Sequence, residues 1–161
     1  MQIGIALDGT GTLGQPAAVT TLAHAADGLG YGSIWCLGPW APALVGSVAV
    51  VTTRVRIGLE APSDADLAAA LAVCGDRLVV VERLHTWSPS GRTGRGVEGD
   101  IRVVRIEAAA RNVAGIADAV RRADIAGFDE VVVHLLDADD VDVDDALAAY
   151  AELGELVEPV D

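Results

Sequence analysis

Residues 25–38, AADGLGYGSIWCLG, and residues 123–135, ADIAGFDEVVVHL, are two copies of one unit. Each ends a helix on an Ala/Asp-rich stretch and then places a glycine, Gly30 or Gly127. Glycine suits the residue just past a helix, where a left-handed backbone needs no Cβ. An aromatic follows, Tyr31 or Phe128, and then a short apolar run: Ser33–Leu37 in one copy, Glu130–Leu136 in the other. Such runs read as buried parallel strands. A repeated helix–Gly–aromatic–strand unit points to a chain built from βα modules.

Working outward, the same alternation covers the chain. Gln2–Leu7 forms a first strand, and Asp8–Gln15 a Gly-rich loop. Pro16 opens a helix whose Val19, Leu22, Ala23, Ala26 and Leu29 share one face. Ala43–Thr52 is a second helix and Val55–Leu59 a third strand. Ser63 or Asp64 caps a helix over Ala65–Cys74 that Gly75 ends. Arg77–Arg83 is strand four. Residues 85–100 show no apolar period, and Ile101–Ile106 is strand five. Arg102 and Arg105 point to opposite faces of that strand, which reads as an edge. Val113–Ala126 is a fourth helix, Glu130–Leu136 strand six, and a last helix begins at Asp144 or Asp145. Strands alternating with helices imply a parallel sheet with right-handed crossovers in one domain spanning residues 1–161.

Composition narrows the function. Hydrophobic residues make up 52% but aromatics only 4%, so the core is aliphatic. No apolar run reaches a membrane-spanning length of ~18 residues. The start reads as a strand and carries no leader, so a cytoplasmic protein is expected. The net charge of −13 argues against nucleic acid and anionic membrane as partners. All eleven basic residues are Arg, which excludes lysine Schiff-base chemistry and a Walker-A loop. Charge is uneven: residues 77–111 hold seven Arg and four acids, whereas 137–161 hold ten acids and no base. Cys36 and Cys74 read as buried free thiols.

Gly9, Gly11 and Gly14 spell G-x-G-x-x-G after strand one, the dinucleotide fingerprint. The ribose-binding acid that should end strand two is missing, because that strand runs into Leu37-Gly38-Pro39. Asp27 has nearly the right separation but lies in the preceding helix. The loop therefore reads as a flexible Gly-rich connection.

MQIGIAL, AHAADGLGYGSIW, the proline-bracketed second helix and TTRVRIGLE resemble the opening of the bacterial luciferase-like monooxygenases, which are flavin- or deazaflavin-dependent TIM-barrel oxidoreductases. GDRLVVVERLHTWSP is similar to that family's fourth strand and following Gly-Trp segment, with Trp87 at the Trp. ADAVRRADIAGFDEVVVHL resembles its late helix and strand. The likeness covers residues 1–60 best, then 75–90 and 112–136. It implies a luciferase-like fold and FMN or a deazaflavin as cofactor. Three places depart from the family pattern. Gly38-Pro39 stand where an acid–His pair is common. Leu59-Glu60 replace a small Thr-Gly pair, and Glu82-Arg83-Leu84-His85 replace a Gly-rich strand end that admits the cofactor. Length departs too, since a complete eight-stranded barrel rarely takes fewer than ~200 residues. The expected fold is α/β with parallel βα repeats, a truncated TIM-barrel-like sheet of about six strands. Its opening would be closed by homodimerisation.

In such folds, sites form at the C-terminal ends of strands. Those ends offer Asp8, Gly38, Glu60, Arg83 with His85, Glu107, and His134 with Asp137. His85, His134 and Glu60 are the candidate catalytic residues, since imidazoles work as acid or base near neutral pH. Two His and a carboxylate would also make a metal set, but no diagnostic spacing marks one, and none is expected. Arg92 and Arg95 lie among glycines in SPSGRTGRG, residues 88–96, a setting that suits a phosphate or carboxylate. With Arg83 and Trp87 they are the candidate cofactor-binding residues. A mobile loop, or one pairing with a neighbour's acidic C-terminal segment, is the plainer reading. Trp35 reads as core, whereas Trp40 and Trp87 follow strand ends and could line an apolar pocket at the mouth, and Trp87 could equally plug the shortened barrel.

Three functions fit these residues. One is a luciferase-like oxidoreductase homologue that binds a flavin or deazaflavin, its usual cofactor and catalytic positions largely lost. Another is a small-molecule-binding protein or non-redox enzyme of the same fold, with no flavin. The third is a non-catalytic, dimerising accessory subunit.

Overall fold

The computed structural model describes residues 1–87, 102–136 and 141–157. Six strands alternate with five helices. They run β1 (Gln2–Leu7), α1 (Pro16–Leu29), β2 (Ser33–Cys36), α2 (Ala41–Val51), β3 (Arg56–Glu60), α3 (Asp64–Cys74), β4 (Leu78–Val81), β5 (Val103–Ala109), α4 (Val113–Ile125), β6 (Glu130–Leu136) and α5 (Val143–Val157). All strand pairs are parallel and the sheet order is β4-β3-β2-β1-β6-β5. The first strand therefore sits in the middle of the sheet, beside the last.

The two sequence copies match in backbone detail. Gly30 and Gly127 both take left-handed φ angles, 85° and 81°. The next residue folds back in the same way in each: Tyr31 N–H donates to Ala26 O at 3.1 Å, and Phe128 N–H to Ala123 O at 3.2 Å. Ser63 caps α3 by accepting from Asp66 N–H, and Asn112 caps α4 by accepting from Gly115 N–H. Helix α2 starts two residues before the predicted Ala43 because Ala41 N–H already bonds Gly38 O.

The sheet curls. Arg56 of β3 reaches Glu130 of β6, although β2 and β1 lie between those strands. The outward face, with Ile5, Ile34, Ile57, Ile106 and Val133, packs against the helices. The inward face carries a second cluster of Ala6, Trp35, Leu37, Leu84, Val103 and Val132. The gap between β4 and β5 is narrower than the sequence suggests. Residues after β4 pair with β5: Trp87 N–H donates to Arg105 O at 2.7 Å and Arg105 N–H to His85 O at 2.8 Å. One chain thus spans its own opening at this level.

Two absent side chains make the interior possible. A Cβ on Gly58 would collide with the Trp35 ring, and one on Gly4 with Ser33 Oγ. Across Gly4, Ser33 donates to Glu130 Oε1, which also accepts the Trp35 indole N–H at 2.9 Å. Arg56 bonds the other oxygen of Glu130 and also Gln2. Ser33 and Glu130 are equivalent positions of the two repeats. The buried carboxylate is thereby paired on both oxygens, as a charge out of water requires.

Asp27, which nearly met the dinucleotide spacing, is instead a buried clamp. Its carboxylate accepts from the N–H groups of Thr53, Arg54 and Val55, at 2.9–3.0 Å, and from the Thr53 hydroxyl. Burial works to raise its pKa, but these hydrogen bonds outweigh burial and hold it below the ordinary 3.8. A depressed carboxylate stabilises the fold above its unfolded pKa, and that stability is lost as pH falls through the folded value. Asp27→Ala should lower stability by about 2–3 kcal/mol at pH 7, because three backbone donors lose a charged acceptor. Denaturant melts should show that deficit shrinking below pH 4. Gly58→Ala should cost about 1–3 kcal/mol through overpacking against Trp35, read as a fall in Tm.

Candidate functional site

The strand register builds a polar cluster at the C-terminal mouth. Glu107 of β5 pairs with His134 of β6, and His134 pairs with Ala6 of β1 two residues before Asp8. Side chains alternate along strands, so Glu107, His134 and Asp8 stand side by side on the inward face. His134 Nε2 lies 3.2 Å from Asp8 Oδ2, and its Nδ1 lies 4.0 Å from Glu107 Oε1. The His134 side chain is only 10% exposed, and among the described residues Nδ1 has no hydrogen-bond partner. Arg105, one pleat below, bonds Glu107 at 3.0 Å and Thr86 Oγ1 at 2.9 Å.

Asp8 fixes the proton on the ring. Burial works to raise its pKa, but the Thr10 N–H at 3.0 Å, the Thr10 hydroxyl at 2.8 Å and the nearby His134 ring together hold it below 3.8. Asp8 is therefore ionised at neutral pH and can only accept. Nε2 donates to it, which makes Nδ1 the nitrogen that can gain or lose a proton. The arrangement is an oriented base: a carboxylate sets the tautomer and stabilises the imidazolium that forms when Nδ1 takes a proton. Asp8 and Glu107 face opposite edges of the ring, so one metal ion could not be held by both through the same nitrogen. Among the described residues no group of three ligating side chains converges on a point.

The other sequence candidates separate. Glu60, at the end of β3, accepts the Leu84 N–H at 2.8 Å, next to Ala61, whose φ is 40°. Leu84 and Thr86 turn inward, and alternation places His85 and Trp87 on the outer side. The structure therefore does not bring His85 to His134. Trp87 packs edge-on against Phe128 at 6.2 Å in the outer layer, where Arg102 also covers that ring. Arg83 is exposed. Arg92, Arg95 and Asp137 lie outside the described residues. Trp40 is 58% exposed and backs onto Gly9 at the mouth. His24 is exposed on α1, its Nδ1 3.3 Å from Val51 O, far in sequence from this cluster. Asp8, Glu107, Arg105 and Thr86 complete the cluster without having been singled out as catalytic. The signal was the register, visible only once β6 is known to flank β1.

The flavin implied by the resemblance does not fit the residues present. Leu37 and Leu84, both buried, and the Glu60 carboxylate occupy the interior and rim beside β3 and β4. Trp35 fills the space beneath them. No family model, curated protein or solved structure matches the chain. Among the described residues, no helix is long and apolar enough to cross a membrane.

At the opposite end, two depressions share Gln2 and Arg56. Both arginines that line them are engaged inward, Arg56 with Glu130 and Arg54 with the Asp27 carbonyl.

Asp8→Asn should release the His134 tautomer. In ring-labelled protein at pH 8, ¹⁵N shifts should report Nδ1 bare in wild type and a mixed or reversed tautomer in the variant. The carboxylate's contribution to stability should be present above pH 4 and fade below it, and the Asn variant should show a flatter acid limb.

Proposed function

We propose that the chain is a luciferase-like barrel homologue that has abandoned flavin chemistry and handles a small polar molecule at its C-terminal mouth. His134 is its proton-transfer group and Asp8 its positioning residue. The observation that carries this reading is the Asp8–His134 pair, whose buried Nδ1 has no hydrogen-bond partner among the described residues. A buried polar atom without a partner costs free energy, and active sites are where such costs persist. The lineage rests on the sequence likeness of residues 1–60, 75–90 and 112–136. A proton transfer, such as an isomerisation or an activated hydrolysis, needs no redox cofactor and matches the groups at the mouth.

Two buried free thiols suit a reducing, cytoplasmic setting. Burial pushes the Cys36 thiol up to about 12, with Cys74 adding to it, so Cys36 stays protonated and inert. A homodimer through the β4 side is part of the same reading. It is supported by Leu71, Val73 and Val80, which are 43–50% exposed beside that edge.

Purified protein should be colourless, and titrating it into FMN or a deazaflavin should leave the cofactor's absorbance and fluorescence unchanged. Stoichiometric uptake of either would overturn the flavin-free reading and restore the oxidoreductase. Light scattering should give twice the chain mass, and Val80→Glu should halve it.

A further inference from the structure

Two arginines at the foot of the sheet keep most of their donors free. Arg54 and Arg56 line one depression of about 350 Å³, together with Gln2, Tyr31 and the small Gly30 and Gly32. Each is pinned through a single nitrogen. Arg54 Nη2 donates to the Asp27 carbonyl, and Arg56 Nη2 donates to Gln2 Oε1 and Glu130 Oε2. A guanidinium has five N–H donors. Each arginine therefore keeps its Nε–H and both Nη1 hydrogens, which no bond engages among the described residues. Gln2 spends its oxygen on Arg56 and keeps its NH2 as a further donor. The carboxylates beside them are already spent. Asp27 accepts four bonds, from the Thr53 N–H and hydroxyl and from the N–H groups of Arg54 and Val55. Glu130 accepts Ser33 and Trp35 on one oxygen and Arg56 on the other.

We infer that this depression binds the phosphate group of a small, soluble phosphate monoester. Two guanidinium charges match a dianion, and their planar forks pair with phosphate oxygens two at a time. Holding each fork by one nitrogen fixes it before the ligand arrives, which lowers the ordering cost of binding. The negative end of α1 does not oppose the anion. Gly30 and Tyr31 N–H cover the Ala26 carbonyl, and Arg54 covers that of Asp27. The neighbouring depression, about 580 Å³, shares Gln2 and Arg56 and is also lined by Met1, Phe128, Asp124 and Asp129. Its two aspartates repel a phosphate, so the anion belongs on the Arg54 side and the organic part of the ester extends past Arg56. A net charge of −13 disfavours an anionic membrane or nucleic acid as the source of the phosphate, which leaves a free small molecule. The site lies at the opposite end of the strands from His134, so either reading can fail alone.

The test titrates the full-length protein at constant ionic strength, by calorimetry and by the ¹⁵N resonances of labelled arginine side chains. The probes are inorganic phosphate, sodium acetate and sodium chloride. Phosphate should bind saturably and move the Arg54 and Arg56 resonances. Acetate should bind about tenfold more weakly, and chloride should not saturate. Arg54→Gln should weaken phosphate binding about tenfold. Arg56→Lys keeps a cation for Glu130 but loses the fork, and it should weaken binding to a similar degree; it serves should the Arg54 variant not fold. His134→Gln should leave phosphate binding intact. No saturable response to phosphate, or one that survives both arginine variants, would overturn the inference. Loss of binding in His134→Gln would put the anion at the mouth and overturn it too. Sedimentation with vesicles of phosphatidylcholine and phosphatidic acid, without a response to free phosphate, would overturn the soluble ligand.

Discussion

One indole ring sets the terms for this molecule. A barrel's width grows with its number of strands, so a six-stranded parallel sheet curled on itself encloses little space. Trp35, fully buried, is the largest side chain of the cluster that fills that space, lies against Gly58, and ties its N–H to Glu130 and Ser33. Everything else follows from this filling. The carboxylate that receives the indole needs Arg56 as its counter-ion, Arg56 has to cross from β3, and the sheet has to curl for it to do so. With the interior filled, polar side chains gather at the rim, where the strands end and side chains regain access to solvent.

The rim shows how a site arises from register alone. Glu107, His134 and Asp8 come from sequence positions far apart, and none belongs to a local motif. They meet because β5, β6 and β1 are neighbours and each carries its polar residue at an inward position. The carboxylates on the two edges of the imidazole act differently. Asp8, tied down by Thr10, holds a proton in place. Glu107, shared with Arg105, faces the free edge.

The sequence showed the architecture better than the site. The copied Gly–aromatic–strand unit is legible because a left-handed turn and a buried strand each demand particular residues. Strand ends differed from expectation by one to three residues, as at Leu37 and Val103, where hydrogen bonding sets the end and hydropathy does not. Asp27 illustrates a harder limit. Its clamp on residues 53–55 is a tertiary contact, and only its spacing, which fell short of a cofactor signal, was visible. His85 and Trp87 were placed at the mouth because they follow strand four. Their actual side is fixed by the pairing of residues 85–87 with β5, a non-local bond that no composition or periodicity reveals.

The central position of β1 also has a meaning in time. A chain leaving the ribosome presents β1 to β4 first, and these already contain Ser33, Trp35 and Arg56. Their common acceptor, Glu130, emerges about seventy residues after Arg56. Until then the indole N–H has Ser33 and the guanidinium has Gln2, both neutral acceptors, and closing the half-sheet would leave the Arg56 charge without its counter-ion. The carboxylate at the foot of the last strand thus acts as a latch. The second copy of the repeat supplies the carboxylate on which the polar groups of the first converge.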